Sequence, residues 1–191
     1  MQDIGVGQER INIGSRVVDQ IKESARWRIL KFKNPEVAER VAELSRQGVP
    51  LEELGTPDEV LEFRGNCLLN EGINELWKLA CGDAGATPFD NAHAHIGVGD
   101  SSTNESAFQD GLQGTHKEYK EMDSGFPTYG TNQKAVFRAT FGSDEANFAW
   151  EEVTVANGNS DDAINLNRKV QTMGTKASGT TWVVTLEIVL S

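Results

Sequence analysis

Residues 181–190, Thr-Trp-Val-Val-Thr-Leu-Glu-Ile-Val-Leu, alternate so that Trp182, Val184, Leu186, Ile188 and Leu190 share one side. Successive side chains of a strand point to opposite faces, so this run is read as a β-strand with one buried face. Its β-branched and aromatic residues suit a pleated surface, and neither glycine nor proline interrupts it. The opposite side, Thr181, Val183, Thr185, Glu187 and Val189, is mixed and suits solvent or a neighbouring subunit. The strand is expected to close a sheet.

The same texture reaches back to about residue 82. Alternation recurs over residues 94–98, 135–141 and 148–155, with turn residues such as Gly142-Ser143-Asp144 and Asn157-Gly158-Asn159 between them. Short punctuated strands of this kind predict an antiparallel β-domain over 83–191, a sandwich or a jelly-roll-like fold.

Ahead of it the period changes to helical. Val17, Val18, Ile21, Ala25, Ile29 and Phe32 recur at three- and four-residue steps after Ser15, predicting a first amphipathic helix. Its other face would carry Lys22, Arg26, Arg28, Lys31 and Lys33 as a basic stripe. Asn34-Pro35 reads as a cap with proline at the first position of a second helix, with Val37, Val41 and Leu44 on one face and Gly48 as its stop. Thr56-Pro57-Asp58-Glu59 repeats the signal for a short third helix to about Phe63. Leu68, Leu69, Ile73, Leu76, Trp77 and Leu79 outline a fourth, broken by Gly72, that should pack on the β-domain. Residues 1–15 show no sustained period and read as an extended arm, leaving 16–82 as a helical anchoring region. The fold class expected is α+β. Arg26, Arg28, Lys31 and Lys33 of the stripe, with Trp77, are the candidate partner-binding residues.

Charge narrows the partners. With 29 Asp and Glu against 18 Lys and Arg, a net −11, the field of the whole protein repels nucleic acid and anionic membrane. No apolar run is long enough to span a bilayer. Cys67 and Cys81 are too few for a disulfide framework and too far apart for a zinc knuckle, and read as buried thiols.

The search for chemistry yields only weak constellations. His93 and His95 would share a face of a strand, with His116 as a third imidazole, but no HExxH or cysteine pair supports a metal site. Gly97-Val98-Gly99-Asp100 lacks the Gly-Lys-Ser/Thr of a phosphate loop and reads as a turn in which glycine takes positive φ. Asp161 and Asp162 with Asn157, Asn159 and Asn165 offer oxygens in a loop that more often hydrogen-bonds to itself than to calcium. Neither a G-x-S-x-G elbow nor a nearby Cys-His pair is present. Tyr119, Phe126, Tyr129 and Trp150 are the residues from which a glycan platform would be built, but a small β-core or a subunit interface needs the same rings and is the reading preferred. No cofactor is expected, and the chain reads as a non-enzyme.

The series Leu69-Asn70-Glu71-Gly72-Ile73-Asn74-Glu75-Leu76-Trp77, then Ala94-His95-Ile96-Gly97-Val98-Gly99-Asp100-Ser101-Ser102-Thr103, then Phe137-Arg138-Ala139-Thr140-Phe141 and Glu145-Ala146-Asn147-Phe148-Ala149-Trp150 resembles small virion structural proteins of tailed bacteriophages. Asn165-Leu166-Asn167-Arg168-Lys169-Val170 and Gly174-Thr175-Lys176 continue the likeness, which spans about 66–191. It implies a particle component: a capsid decoration or cement protein on the major capsid shell, self-associating and located in the virion. The alternative it implies is a tail- or head-fibre adaptor whose β-domain binds a receptor or glycan.

Overall fold

The computed structural model describes residues 23–190. Its elements run β1 (Glu23–Phe32), α1 (Pro35–Arg46), β2 (Glu59–Arg64), β3 (Cys67–Leu68), α2 (Asn70–Ala80), β4 (His95–Gly99), β5 (Lys117–Glu121), β6 (Thr128–Thr131), β7 (Lys134–Phe141), β8 (Ala149–Ala156), β9 (Asn167–Thr175) and β10 (Thr181–Leu190). They form two antiparallel five-stranded sheets, in the orders β2-β1-β10-β7-β6 and β3-β9-β8-β4-β5. Hairpins stay within a sheet, and the chain changes sheet after β2, β5, β7 and β9.

The sheets stack on one apolar cluster. Trp27 and Ile29 of β1, Phe137 and Phe141 of β7 and Leu186 of β10 meet Ile96 and Val98 of β4, Trp150 and Val155 of β8 and Met173 of β9. Trp150 is its centre, with ring centroids 4.8 Å from Phe141 and 4.6 Å from Trp182, both edge-on as aromatic quadrupoles prefer. A register shift between Trp150 and Glu152 lets Trp150 and Val153 both face this core, and so turns Glu152 to the outer side.

Strand β10 has the predicted face, but it does not close its sheet. It lies in the middle, paired with β1 through Glu23↔Leu190 to Phe32↔Thr181 and with β7 on its other edge. Its second face is covered too, since Val183 packs with Leu30, Phe32, Ala38, Val41 and Leu54 beneath α1.

The first helix expected from the sequence is a correction: over the described part of that segment the chain is strand β1, and residues before Glu23, with the arm over 1–15, lie outside the described residues. Ala25, Trp27 and Ile29 face the inter-sheet core while Leu30 and Phe32 face α1. A strand buried on both faces has no clean alternation, and its apolar positions then mimic helical spacing. The third helix is also corrected. Residues 59–64 are β2, with Leu61 and Phe63 turned toward the core; Glu59 makes no capping box with Thr56 but pairs with Lys31 and Lys33, and Asp58 accepts the Lys33 N–H at 2.6 Å while its own N–H donates to the Lys31 carbonyl at 2.9 Å. The helical region over 16–82 therefore contains β1, β2 and β3, which belong to the same two sheets as the strands after residue 82.

Helix α1 is where the sequence placed it. The Asn34 side chain accepts the Glu36 N–H at 3.1 Å, proline occupies the first turn, and Gly48 takes φ +86° beyond the end. Its buried face is Ala38, Val41, Ala42 and Ser45, one position round from the expected Val37, which is exposed. Asn34→Ala is expected to lower unfolding free energy by about 1 kcal/mol, read as a shift in urea midpoint at unchanged slope; no shift would mean the cap is idle.

The α1 terminus is joined to the sheet by a buried polar seam. Arg138 donates to Asp123 Oδ2 at 2.9 Å and to the carbonyls of Ser45 and Val49 at 2.8 and 2.9 Å, while the Ser45 and Thr140 hydroxyls both donate to the same carboxylate oxygen. Burial pushes the Asp123 carboxyl up despite these bonds, which pull it down.

Candidate functional site

Helix α2 carries the most unusual surface of the described residues. Its sequence is amphipathic, and such a helix ordinarily turns its apolar stripe inward. Here the buried positions are Gly72 and Glu75, whereas Leu76 and Trp77 stand outside, Trp77 at 64% exposure. At 100° per residue, Ile73, Leu76, Trp77 and Ala80 fall on one flank of Gly72, with Trp77 furthest round, and Glu75 and Leu79 fall on the other. The fourth predicted helix thus exists and packs on the β-domain, but with Leu76 and Trp77 outward.

Three contacts hold it in that orientation. Gly72 lies so close to the chain after β8 that a Cβ there would sit 2.5 Å from Leu166 Cα and 2.6 Å from the Asn165 and Leu166 carbonyl oxygens. Glu71 accepts the Asn165 N–H at 2.8 Å, and burial raises its carboxyl above the ordinary range. Glu75 accepts the Thr87 N–H at 2.7 Å and the Lys78 ammonium at 2.9 Å, and the lysine bond holds this carboxyl low. With polar bonds and a glycine contact on the inner side, Ile73 and Leu79 are half-buried and Leu76 and Trp77 stay exposed. The first turn is tied to the adjoining loop by Asn70 N–H to the Ala107 carbonyl, 2.8 Å, and the next residue, Phe108, is 86% exposed.

The other candidates from the sequence are placed differently. On β1, Arg26 and Arg28 contact Glu62 at 2.8 and 3.3 Å, and Lys33 contacts Glu59 at 3.0 Å. Lys31 is turned into the protein, where its ammonium bonds Glu59 at 2.6 Å and the Met173 carbonyl at 2.7 Å and sits 4.4 Å from the Trp182 ring centroid. The basic stripe is therefore divided between two faces of a strand and neutralised by β2. Exposed pairs such as Arg26–Glu62 contribute little, about 0–1 kcal/mol each.

The histidines do not converge. His93 bonds Asp90 at 2.7 Å, His95 bonds the His93 carbonyl at 2.7 Å, and His116 bonds Asp100 at 2.6 Å, which holds that carboxyl below its usual range. No cluster of three His, Cys, Asp or Glu able to hold a metal ion occurs among the described residues. The oxygens of the acidic loop are taken by protein donors: Asp161 accepts Lys117 and the Tyr119 hydroxyl of β5, and Asn157 accepts the Ile164 N–H within the loop. Gly97 and Gly99 do not take the positive φ expected of them. A Cβ at Gly97 would collide with the Tyr119 ring and one at Gly99 with the Glu152 carboxylate, so close approach is what requires them. Cys81 is exposed and Cys67 half-buried, rather than both buried. Of the aromatic set, Trp150 is core, Phe126 lies under the Arg138 guanidinium, Tyr119 is half-buried, and Tyr129 alone stands out at 78% exposure.

The sequence reading missed a second buried ion pair. Arg168 and Glu152, both fully buried, bond at 2.6 Å, and the carboxylate also accepts the Gln113 and Gly114 N–H groups while Arg168 donates to the Thr103 carbonyl and Gln109. The pair organises the loop that carries Phe108. Its partners lie 16 residues apart, and no local pattern marks them.

No protein-family model, no curated protein and no solved structure matches the chain. No helix among the described residues is long and apolar enough to cross a membrane.

Proposed function

We propose that the protein is a non-enzymatic structural component of a tailed-bacteriophage particle, a decoration or cement protein that docks on the major capsid shell through the outward Leu76 and Trp77 of α2. The observation that carries the docking role is the inversion of that helix: Leu76 and Trp77 are exposed while Glu71 and Glu75 bond inward. An exposed patch of large apolar side chains on a rigid element is what a protein partner covers. Tryptophan is over-represented among residues that dominate interface energy. The phage setting rests on the resemblance of residues 66–191, and many copies on one lattice would add weak contacts by multivalency.

Quantitative mass spectrometry of purified particles tests the setting. A copy number comparable with that of the major capsid protein is expected, and a handful of copies would sink the cement reading. Trp77→Ala tests the surface: it should weaken retention on particles by about 2 kcal/mol, roughly thirtyfold in Kd, while leaving the urea midpoint unchanged because the side chain touches little of its own chain. Unchanged retention would remove α2 as the docking face.

A fibre-adaptor reading has one observation in its favour. Tyr129, on edge strand β6, borders a hollow of about 510 Å³ with Asp90, Asn91, Phe126 and Pro127, a combination of aromatic and amide groups suited to a sugar. Glycan-array binding that is lost in Tyr129→Ala would favour it.

A further inference from the structure

Asn147, in the turn between β7 and β8, meets a lysine from the end of β9 in a reactive arrangement that the docking role does not use. Lys176, the residue after β9, is 1% exposed. Its N–H donates to the Phe148 carbonyl at 3.0 Å, and its Nζ lies 2.6 Å from the Gly142 carbonyl and 3.1 Å from Asn147 Oδ1. The amide is held from its other end, since Asn147 Nδ2 donates to the Ser143 carbonyl at 3.0 Å. The residue before it, Ala146, is 2% exposed and takes φ +49°, a conformation unusual for a side chain bearing a Cβ. Both sides of that peptide are fixed: Ala146 N–H donates to the Glu118 carboxylate, and its carbonyl accepts the Trp150 indole N–H at 2.9 Å. Strained backbone persists only where its surroundings over-determine it, and here they aim the Asn147 carbonyl at the lysine.

We propose that Lys176 and Asn147 form an intramolecular isopeptide bond, with the Glu118 carboxyl relaying the proton. The neutral Nζ attacks Asn147 Cγ, the carbon bonded to the oxygen it already touches. A Cγ–Nζ bond forms, the Cγ–Nδ2 bond breaks, and Nδ2 leaves as ammonia with the proton that Nζ gives up. Amine and primary amide become secondary amide and ammonia, and nothing is oxidised or reduced. Holding both groups in contact within one folded chain makes the encounter intramolecular, which is where most of the acceleration comes from. Burial pushes the Lys176 ammonium down to about 8, against the opposing pull of Glu145, Glu118 and Asp144, so a useful fraction is neutral near physiological pH. Burial also raises the Glu118 carboxyl, which suits a group that must both give and take a proton. Glu145 is occupied by Lys120, Arg46 and the Gly142 N–H. The bond would tie the start of β8 to the end of β9, where Ala149 pairs with Thr175.

Intact-mass spectrometry of the purified full chain decides it. The expected product is lighter by one ammonia, accumulates faster at about pH 9 than at about pH 6 because the attacking amine must be neutral, and yields a branched tryptic peptide joining residues 147 and 176. Asn147→Ala, at an exposed position that should not disturb folding, should keep the full mass; Asn147→Asp should lose water instead. Glu118→Gln should slow the reaction at least tenfold, and a wild-type rate there would overturn the relay. Full mass in the wild type after prolonged incubation at the higher pH would overturn the bond itself. So would an ammonia loss that persists in Lys176→Met, because that loss would be a succinimide at Asn147.

Discussion

Glu152→Leu is expected to lower unfolding free energy by about 3–5 kcal/mol, the range seen when one member of a buried ion pair is removed. The carboxylate is fully buried and receives Arg168 Nε at 2.6 Å and the Gly114 N–H at 2.7 Å. Leucine fills similar space, but leaves a guanidinium in the interior with no countercharge and two backbone N–H groups without an acceptor. The cost is mostly the desolvation of what remains. Urea denaturation should show the loss, and amide exchange should show it locally, with Gln113 and Gly114 losing protection first. The double variant Glu152→Leu/Arg168→Met should be more stable than the single one, because it removes the stranded charge. A single variant within about 1 kcal/mol of the parent would mean the pair is not buried as described.

Gly72→Ala should destabilise by about 2–3 kcal/mol, the scale of overpacking. The direction is opposite to helix propensity, on which alanine gains about 1 kcal/mol over glycine in a helix interior. The steric effect wins because the atoms a Cβ would meet, Leu166 Cα and the Asn165 and Leu166 carbonyl oxygens at 2.5–2.6 Å, are backbone and cannot rotate away. The helix must lift instead, breaking the Glu71 bond to Asn165. Asn74→Ala, on an exposed position of the same helix, is the control and should be neutral or slightly stabilising. Thermal denaturation of the two variants separates the effects, and a gain in Tm for Gly72→Ala would show that α2 does not approach the loop this closely. Because the lift would also shift Trp77, the same variant should weaken retention on particles if α2 is the docking face.

Local pattern sufficed where large apolar residues crowd one face of a strand or where a cap is local. Strands β4, β7, β8 and β10 alternate visibly, and Asn34-Pro35 marks α1 because the groups that cap a helix are its near neighbours in sequence. It failed at β1 and β2. In β1 large apolar side chains stand on both faces, Trp27 and Ile29 toward the second sheet and Leu30 and Phe32 toward α1, so the period that distinguishes strand from helix is lost. In β2 a proline and an acidic residue imitate a helix start, yet Asp58 serves the neighbouring strand. Trp77 stands out in the sequence, but only the structure shows that its ring is exposed and open to a partner.

The alternation of residues 181–190 by itself determined a strand with one wholly apolar side, because side-chain direction in a strand depends on nothing beyond parity. That β10 sits between β1 and β7, that α2 turns Leu76 and Trp77 outward, and that Lys176 meets Asn147 were decided only by the tertiary structure. These depend on pairings between residues far apart in the chain. Backbone hydrogen bonds and close contacts make those choices, and they carry no signature in local sequence.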